Sequence, residues 1–292
     1  MERIKGIIPP MVTPLKDEKE LDMEGGVRLT EHIISGGVGG LFILGTTGEA
    51  QSLSHSLRNE FVELVCKQVA GRVPVLVGIS DTSIEESVAL ADKAWECGAA
   101  GVVAAAPYYL APSQQEMIEY FTELADRVKL PLYLYNMPSC VKVFLEVGTV
   151  MRLAGHPNIA GLKDSSANMT YFQKLLYLLR DKDFALYMGP EEMTAAAVMA
   201  GADGGINGGA NLCPELYAEM YEAARTHDTE KVNELQQKIM QISTELYGIG
   251  KYGSSYLKGL KCALAETGLC SGHIAWPYRE FVGPEKVRVR QA

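Results

Sequence analysis

Lys163 closes a short apolar run, Ile159-Ala160-Gly161-Leu162, and is followed at once by Asp164-Ser165-Ser166. The pattern reads as a buried strand that ends in an ammonium group. Removing a lysine from water is costly, so such a position calls for a partner or a use. The use would be nucleophilic, since a desolvated lysine is the kind of amine that condenses with a ketone. The plainer alternative is a lysine that snorkels from the strand end into water. Two other groups bear on the choice. Gly45-Thr46-Thr47-Gly48-Glu49 offers consecutive backbone N–H groups and two hydroxyls in a tight turn, a nest able to hold a carboxylate or a phosphate. Tyr135, in Tyr135-Asn136-Met137-Pro138, and Tyr109, in Pro107-Tyr108-Tyr109, supply phenols that donate and accept protons. Taken singly, these read as a glycine turn and as packing tyrosines. Together, opening into one mouth, they describe a site for an α-keto acid: the nest takes the carboxylate, the lysine attacks the ketone, and the phenols move protons.

Something must bring these groups to one place. Eight short apolar runs recur along the chain: Ile4–Ile8, Gly40–Leu44, Val73–Ile79, Gly101–Ala106, Pro131–Tyr135, Ile159–Lys163, Phe184–Met188 and Gly204–Ile206. Each is too short for a helix, and Gly or Pro punctuates their boundaries. Between them lie segments with helical periodicity. Ser54 is placed to cap a helix whose Leu57, Phe61, Leu64 and Val65 share a face. Ser83 with Glu86, and Ser113 with Glu116, have capping-box spacing, and Gly71 and Gly98 mark helix ends. Eight strand–helix alternations predict an α/β fold with parallel pairing that closes into a (β/α)8 TIM barrel. An open doubly wound sheet would call for a glycine-rich phosphate loop after the first strand, where this chain has Pro9-Pro10-Met11-Val12-Thr13-Pro14. Beyond about residue 213 the strands stop, and Pro214–Ala224, Thr229–Tyr247 and Tyr256–Glu266 read as helices. The expected organisation is therefore one domain over 1–292, with a barrel to about 212 and a C-terminal helical extension from about 213. In such a barrel the reacting groups sit at the C-terminal ends of the strands. Those ends carry the threonine turn, Tyr109, Tyr135 and Lys163, then Gly189 after the seventh run and Ile206 at the eighth.

Composition narrows the partners. Among 292 residues, Asp+Glu number 36 against 27 Lys+Arg, a net charge of −9 with no basic cluster. That argues against nucleic acid or an anionic membrane as partner. The short stretch Lys286-Val287-Arg288-Val289-Arg290 reads as a solvated tail. Cys66, Cys97, Cys140, Cys213, Cys262 and Cys270 lie far apart, with neither zinc spacing nor a disulfide framework. Reduced thiols, no apolar run of membrane length and no apolar leader give the expectation of a soluble cytoplasmic protein.

Gly-Thr-Thr-Gly-Glu at 45–49, Pro-Tyr-Tyr at 107–109, Tyr-Asn-x-Pro at 135–138 and Gly-x-Lys-Asp at 161–164 make the chain resemble the dihydrodipicolinate synthase / N-acetylneuraminate lyase family of Schiff-base pyruvate aldolases. The likeness runs from Gly6-Ile7-Ile8-Pro9-Pro10 to the C-terminal helices. It implies a covalent pyruvate adduct on Lys163, with Thr46 and Thr47 holding the carboxylate and no metal or organic cofactor. It implies Tyr135 as acid and base, joined through Thr47 to a Tyr109 from a neighbouring subunit, in a homotetramer built as a dimer of dimers. Gly189 and Ile206 complete the expected substrate-binding set.

One position separates members of this family. The synthases resemble Tyr-Asn-x-Pro-Ser-Arg, whose arginine binds the carboxylate of the aldehyde substrate, whereas this chain reads Tyr135-Asn136-Met137-Pro138-Ser139-Cys140. A thiol offers no bidentate fork, and Lys142, two residues on, offers a point charge without planar geometry. The departure favours cleavage of a 2-keto-3-deoxy sugar acid to pyruvate and an aldehyde. Dihydrodipicolinate synthesis from pyruvate and aspartate semialdehyde and N-acetylneuraminate cleavage stay open. So do a catalytically silent keto-acid-binding homologue and a sugar-phosphate isomerase using Asn207-Gly208-Gly209 late in the barrel.

Overall fold

The computed structural model describes residues 3–292. All eight expected runs form strands: β1 Gly6–Ile7, β2 Leu41–Ile43, β3 Val75–Gly78, β4 Gly101–Ala105, β5 Leu132–Asn136, β6 Ile159–Asp164, β7 Ala185–Met188 and β8 Gly204–Gly205. They pair in parallel in the order β1-β8-β7-β6-β5-β4-β3-β2. Their side chains are almost wholly buried, as expected of strands covered by helices outside and by each other inside.

The join between β1 and β2 is thin, and the sequence explains why. Pro9 and Pro10 follow β1 and bring no N–H to a ladder. What remains is used. The Pro9 carbonyl accepts from Phe42 N–H at 3.0 Å and Met11 N–H donates to the Phe42 carbonyl at 2.8 Å. Pro10 and Phe42 thereby form a parallel bridge that closes the sheet into the barrel.

The helices follow as α1 Met23–Ser35, α2 His55–Val69, α3 Ile84–Glu96, α4 Gln114–Arg127, α5 Pro138–Val141, α6 Val147–Leu153, α7 Met169–Leu179, α8 Glu191–Met199 and α9 Pro214–Arg225, then α10 Thr229–Gln241, α11 Ser255–Glu266 and α12 Pro284–Gln291. Ser54, Ser83 and Ser113 cap their helices as read from the sequence. Ser113 with Glu116 forms the full reciprocal box, whereas only the serine half forms at Ser83. Gly71 and Gly98 have φ of +75° and +78°, the left-handed conformation that ends a helix at little cost.

Two expectations change at the C-terminal side. α9 packs against β1 and α1, with Tyr217, Met220 and Tyr221 sharing a buried cluster with Ile7. It is the eighth helix of the barrel ring, so the barrel runs past residue 212 and the extension begins with α10. The basic stretch at 286–290 is not a free tail. It lies in α12, with Val289 buried and with Lys286 and Arg290 both paired to Glu266. Residues 229–247 form the expected helical segment, α10 passing into a π-helical turn at Ile242–Leu246. Leu257, Leu260 and Leu264 of α11 belong to the same buried cluster as the barrel strands. The extension is therefore packed onto the barrel core, and its position matters to the site.

Candidate active site

Strand register builds the centre of the site. β5 and β6 pair Tyr135 with Lys163 and Asn136 with Asp164. Neighbouring residues on a strand face opposite ways, so Tyr135 and Lys163 enter the barrel together while Asn136 and Asp164 turn outward. Lys163 is 4 % exposed, and its Nζ lies 4.2 Å from the Tyr135 ring centroid and 5.1 Å from that of Phe42. Among the described residues this ammonium has no hydrogen-bond or ion-pair partner. The snorkelling alternative fails on that burial. Two residues earlier on the same face stands Gly161, where an added Cβ would lie 2.6 Å from the Ala185 carbonyl oxygen and 2.9 Å from the Tyr133 ring. The Gly-x-Lys spacing thus makes room for Tyr133. With Tyr187, whose hydroxyl donates to the Ile4 carbonyl at 2.7 Å, Tyr133 fills the barrel interior below the lysine.

On the outer face, Asn136 donates to Asp164 at 2.8 Å and accepts from Leu145 N–H at 3.0 Å. Asp164 also accepts from Ser166 through its N–H and its hydroxyl, each at 3.1 Å. Burial raises its carboxyl above the usual aspartate range, and these hydrogen bonds pull the other way. The pair locks the ends of β5 and β6 side by side and so fixes the two inward residues.

The threonine turn enters from β2. Leu44 has φ 57° and Glu49 φ 58°, left-handed values unusual for such residues, which bend the chain sharply at both ends of the turn. The backbone N–H groups of Thr46, Thr47 and Gly48 have no acceptor among the described residues. Three successive unused donors are the feature that lets a turn bind an anion. Glu49 anchors the turn from behind. It forms a buried ion pair with Lys261 of α11 at 2.5 Å and accepts from Ala275 N–H at 2.8 Å, while Lys261 also donates to the His273 carbonyl at 2.6 Å. This clamp was not found from the sequence. The glutamate stood inside a recognised motif, but its lysine is 212 residues away and sits on an ordinary-looking helix.

The structure redistributes the two threonines. Tyr135 Oη lies 3.3 Å from Thr46 Oγ1, whereas Thr47 Oγ1 lies 3.0 Å from Tyr256 Oη on α11. The expected path from Tyr135 through Thr47 is corrected: adjacent side chains leave a tight turn on opposite sides, and Thr46 is the one turned to Tyr135. Thr46 is exposed and Thr47 buried. Tyr109 makes no part of the site within this chain and is 80 % exposed.

Tyr135 and Thr46 open onto a cavity of about 510 Å³ whose wall also includes Phe42, Tyr108, Cys140 and Tyr256, whereas the buried Lys163 and Thr47 lie behind that wall and are not part of it. Ser52, Ser80, Ser139, Ser254 and Tyr278 add hydroxyls. No lysine or arginine belongs to this wall, and its one carboxylate, Glu49, is already paired. Lys142 ends α5 with φ 66°, is exposed, and is absent from the wall. Gly189 and Ile206 are placed at the ends of β7 and β8 as read from the sequence, but neither lines the cavity. Gly189 packs on Ser165, whose Oγ would lie 2.1 Å from an added Cβ. The late Asn207-Gly208-Gly209 loop is not an open anion cradle either, because Gly209 N–H already donates to Glu191 at 3.0 Å.

Known proteins resemble this chain over its whole length. The family model described as the dihydrodipicolinate synthetase family matches residues 3–291. A 4-hydroxy-tetrahydrodipicolinate synthase of Gluconacetobacter diazotrophicus is 31% identical over 288 residues, 99% of this chain and 95% of the relative. The solved dihydrodipicolinate synthase of the commensal bacterium Bacteroides thetaiotaomicron is 52% identical, with a TM-score of 0.97 over 100% of this chain and 98% of that one. A prophage protein of the dihydrodipicolinic acid synthase family from E. coli K12, solved in complex with pyruvate, is 29% identical, with a TM-score of 0.93 over 99% and 97% of the two chains. The chain belongs to the dihydrodipicolinate synthetase family, whose members are lyases of the aldolase type.

Proposed function

We propose that the protein is a class I pyruvate aldolase that reversibly splits a 2-keto-3-deoxy sugar acid into pyruvate and a neutral, hydroxylated aldehyde. The observation that carries this reading is the buried, unpaired Lys163 Nζ held 4.2 Å from the Tyr135 ring. The Lys163 amine adds to the C2 ketone and water leaves, giving a protonated Schiff base that serves as an electron sink. Tyr135 then removes the C4 hydroxyl proton, and C4 leaves as the aldehyde carbonyl as the C3–C4 bond breaks. That bond's electron pair forms the C2=C3 double bond of an enamine while the C2=N π pair returns to nitrogen. Protonation at C3 and hydrolysis release pyruvate and restore the lysine. The free N–H groups of the threonine turn, with the Thr47 hydroxyl, receive the carboxylate, and Thr46 is the first partner of the Tyr135 proton. Tyr109, exposed on this chain, is read as the residue a neighbouring subunit contributes within a dimer of dimers.

The aldehyde half is argued from the wall. Cys140 stands where the synthases' motif has its arginine, and no cation replaces it in the cavity. Serine and tyrosine hydroxyls on the wall suit a chain of substrate hydroxyls. The second reading is dihydrodipicolinate synthesis, favoured by the names of the Gluconacetobacter and Bacteroides relatives. A panel of 2-keto-3-deoxy acids, N-acetylneuraminate, and pyruvate with aspartate semialdehyde separates the readings, with pyruvate release or consumption measured directly. Turnover of a deoxy sugar acid with little use of the semialdehyde is the expected result. Efficient use of the semialdehyde would establish the second reading instead.

A further inference from the structure

Behind the threonine turn lies a buried cluster that the reaction above leaves unused. Tyr256 holds the Thr47 hydroxyl at 3.0 Å, and its ring meets Tyr247 edge-on, with centroids 4.7 Å apart and planes at 80°. Glu191, the first residue of α8, is 5 % exposed and accepts from Tyr217 Oη at 2.6 Å and from Gly209 N–H at 3.0 Å. The buried Tyr247 hydroxyl faces the same carboxyl but lacks a partner at full hydrogen-bond geometry. Four elements, α8, α9, α11 and the end of the π-helical turn, thus converge on one acid.

The packing leaves these groups little slack. A Cβ added at Gly208 would lie 1.8 Å from Tyr256 Oη, and one at Gly209 would lie 2.0 Å from Tyr217 Oη and 2.9 Å from Glu191 Oε1. The glycines after β8 are therefore seats for tyrosine hydroxyls. Among the described residues no cation pairs with Glu191. The titratable groups around it are Glu192 on its own helix, Cys213 and Tyr217 at α9, Tyr247 directly after the π-helical turn and Tyr256 on α11. None supplies positive charge, and burial raises the Glu191 carboxyl above the usual glutamate range. Hydrogen bonds from Tyr217 and the Gly209 N–H, with the Tyr247 hydroxyl that faces it, pull the other way, so the carboxyl is held by three neighbours that can all donate to it.

We propose that Glu191 is a positioning residue for the keto-acid nest: with Tyr217 and Tyr247 it fixes the Tyr256 ring, and Tyr256 fixes the Thr47 hydroxyl. When Tyr256 donates to Thr47 Oγ1, the Thr47 hydrogen is left to point at the substrate carboxylate, each bond strengthening the next. The inference rests on the reading of the threonine turn given under the proposed function.

The test uses the full-length protein with pyruvate and borohydride, recording the half-saturating pyruvate concentration and the maximal trapping rate separately. Tyr256→Phe and Glu191→Leu should each raise the half-saturating concentration by about 5–10-fold, the size of one lost hydrogen bond, with the maximal rate kept within about 3-fold. Glu191→Gln, which keeps the length of the side chain and a carbonyl oxygen to accept from Tyr217 or Gly209, should restore it to within about 2-fold of the native value. The Tyr256→Phe, Glu191→Leu double variant should be no weaker than the weaker single, because both act through one hydroxyl. If the leucine variant does not fold, Glu191→Asp, which withdraws the carboxyl by one methylene, takes its place in the cycle. Additive effects, or a folded Glu191→Leu or Glu191→Asp protein with unchanged half-saturation, would overturn the inference while leaving the aldolase reading intact. A native protein that pyruvate and borohydride do not label would overturn both.

Discussion

At the scale of single residues, chemistry follows from which groups share the inner face of the barrel. Tyr135 touches the lysine with its ring and Thr46 with its hydroxyl, so Tyr135→Phe removes only the proton-carrying atom. Turnover should fall by roughly 10²–10⁴-fold, the usual size of an acid–base contribution, while pyruvate still forms its adduct. Full turnover in this variant would assign the proton to another group. Cys140 makes the complementary case for substrate choice. Cys140→Arg places a guanidinium on a wall that has no cation, and should raise kcat/KM for aspartate semialdehyde by about tenfold or more, as a charge-assisted pair of about 1.5–3 kcal/mol allows. Polyhydroxylated substrates should lose in the same assay. Unchanged preference would mean that the Cys140 position does not meet the aldehyde. That Tyr135 and Lys163 stand at the ends of strands was legible because the short apolar runs stop at them, and the register of β5 and β6 sets them side by side. The order of Thr46 and Thr47 was not, since the geometry of the turn decides which of two adjacent hydroxyls faces which way.

At the scale of elements, the site depends on how the turn after β2 is held. The Glu49–Lys261 pair is buried, at 6 % and 0 % exposure, with Glu49 reaching the cavity wall, and joins that turn to α11. Removing one partner strands the other charge in the core. Lys261→Met should therefore cost about 3–5 kcal/mol in denaturant-unfolding experiments, and Lys261→Met with Glu49→Gln should recover part of it. A single variant as stable as the native protein would show that the pair is solvated in solution. The eight strands were legible because each apolar run is short and bounded by Gly or Pro. α12 was not, because its one buried side chain, Val289, sits among charges that resemble a solvated tail. Nor was the role of α9, whose contacts with β1 and α1 depend on barrel closure rather than on its own periodicity.

At the scale of the molecule, the chain forms a cup with its reactive groups at one end and a side chain that has nothing to do within the single chain. Tyr109 and its neighbour Leu110 are 80 % and 78 % exposed, an apolar pair beside the cavity residue Tyr108. A second chain is the proposed cover. Sedimentation should show a tetramer, and Leu110→Asp should shift it toward smaller species and lower turnover; a monomer with full activity would remove Tyr109 from the site. The proposed chemistry rests on one covalent bond, between Lys163 and pyruvate. Borohydride reduction in the presence of pyruvate should add one pyruvyl-derived group per chain, mapped by peptide mass spectrometry to Lys163. Lys163→Ala and Lys163→Arg should both abolish it, because a guanidinium stays protonated and cannot serve as the amine. Labelling of a different lysine, or no labelling of the native chain, would contradict the account.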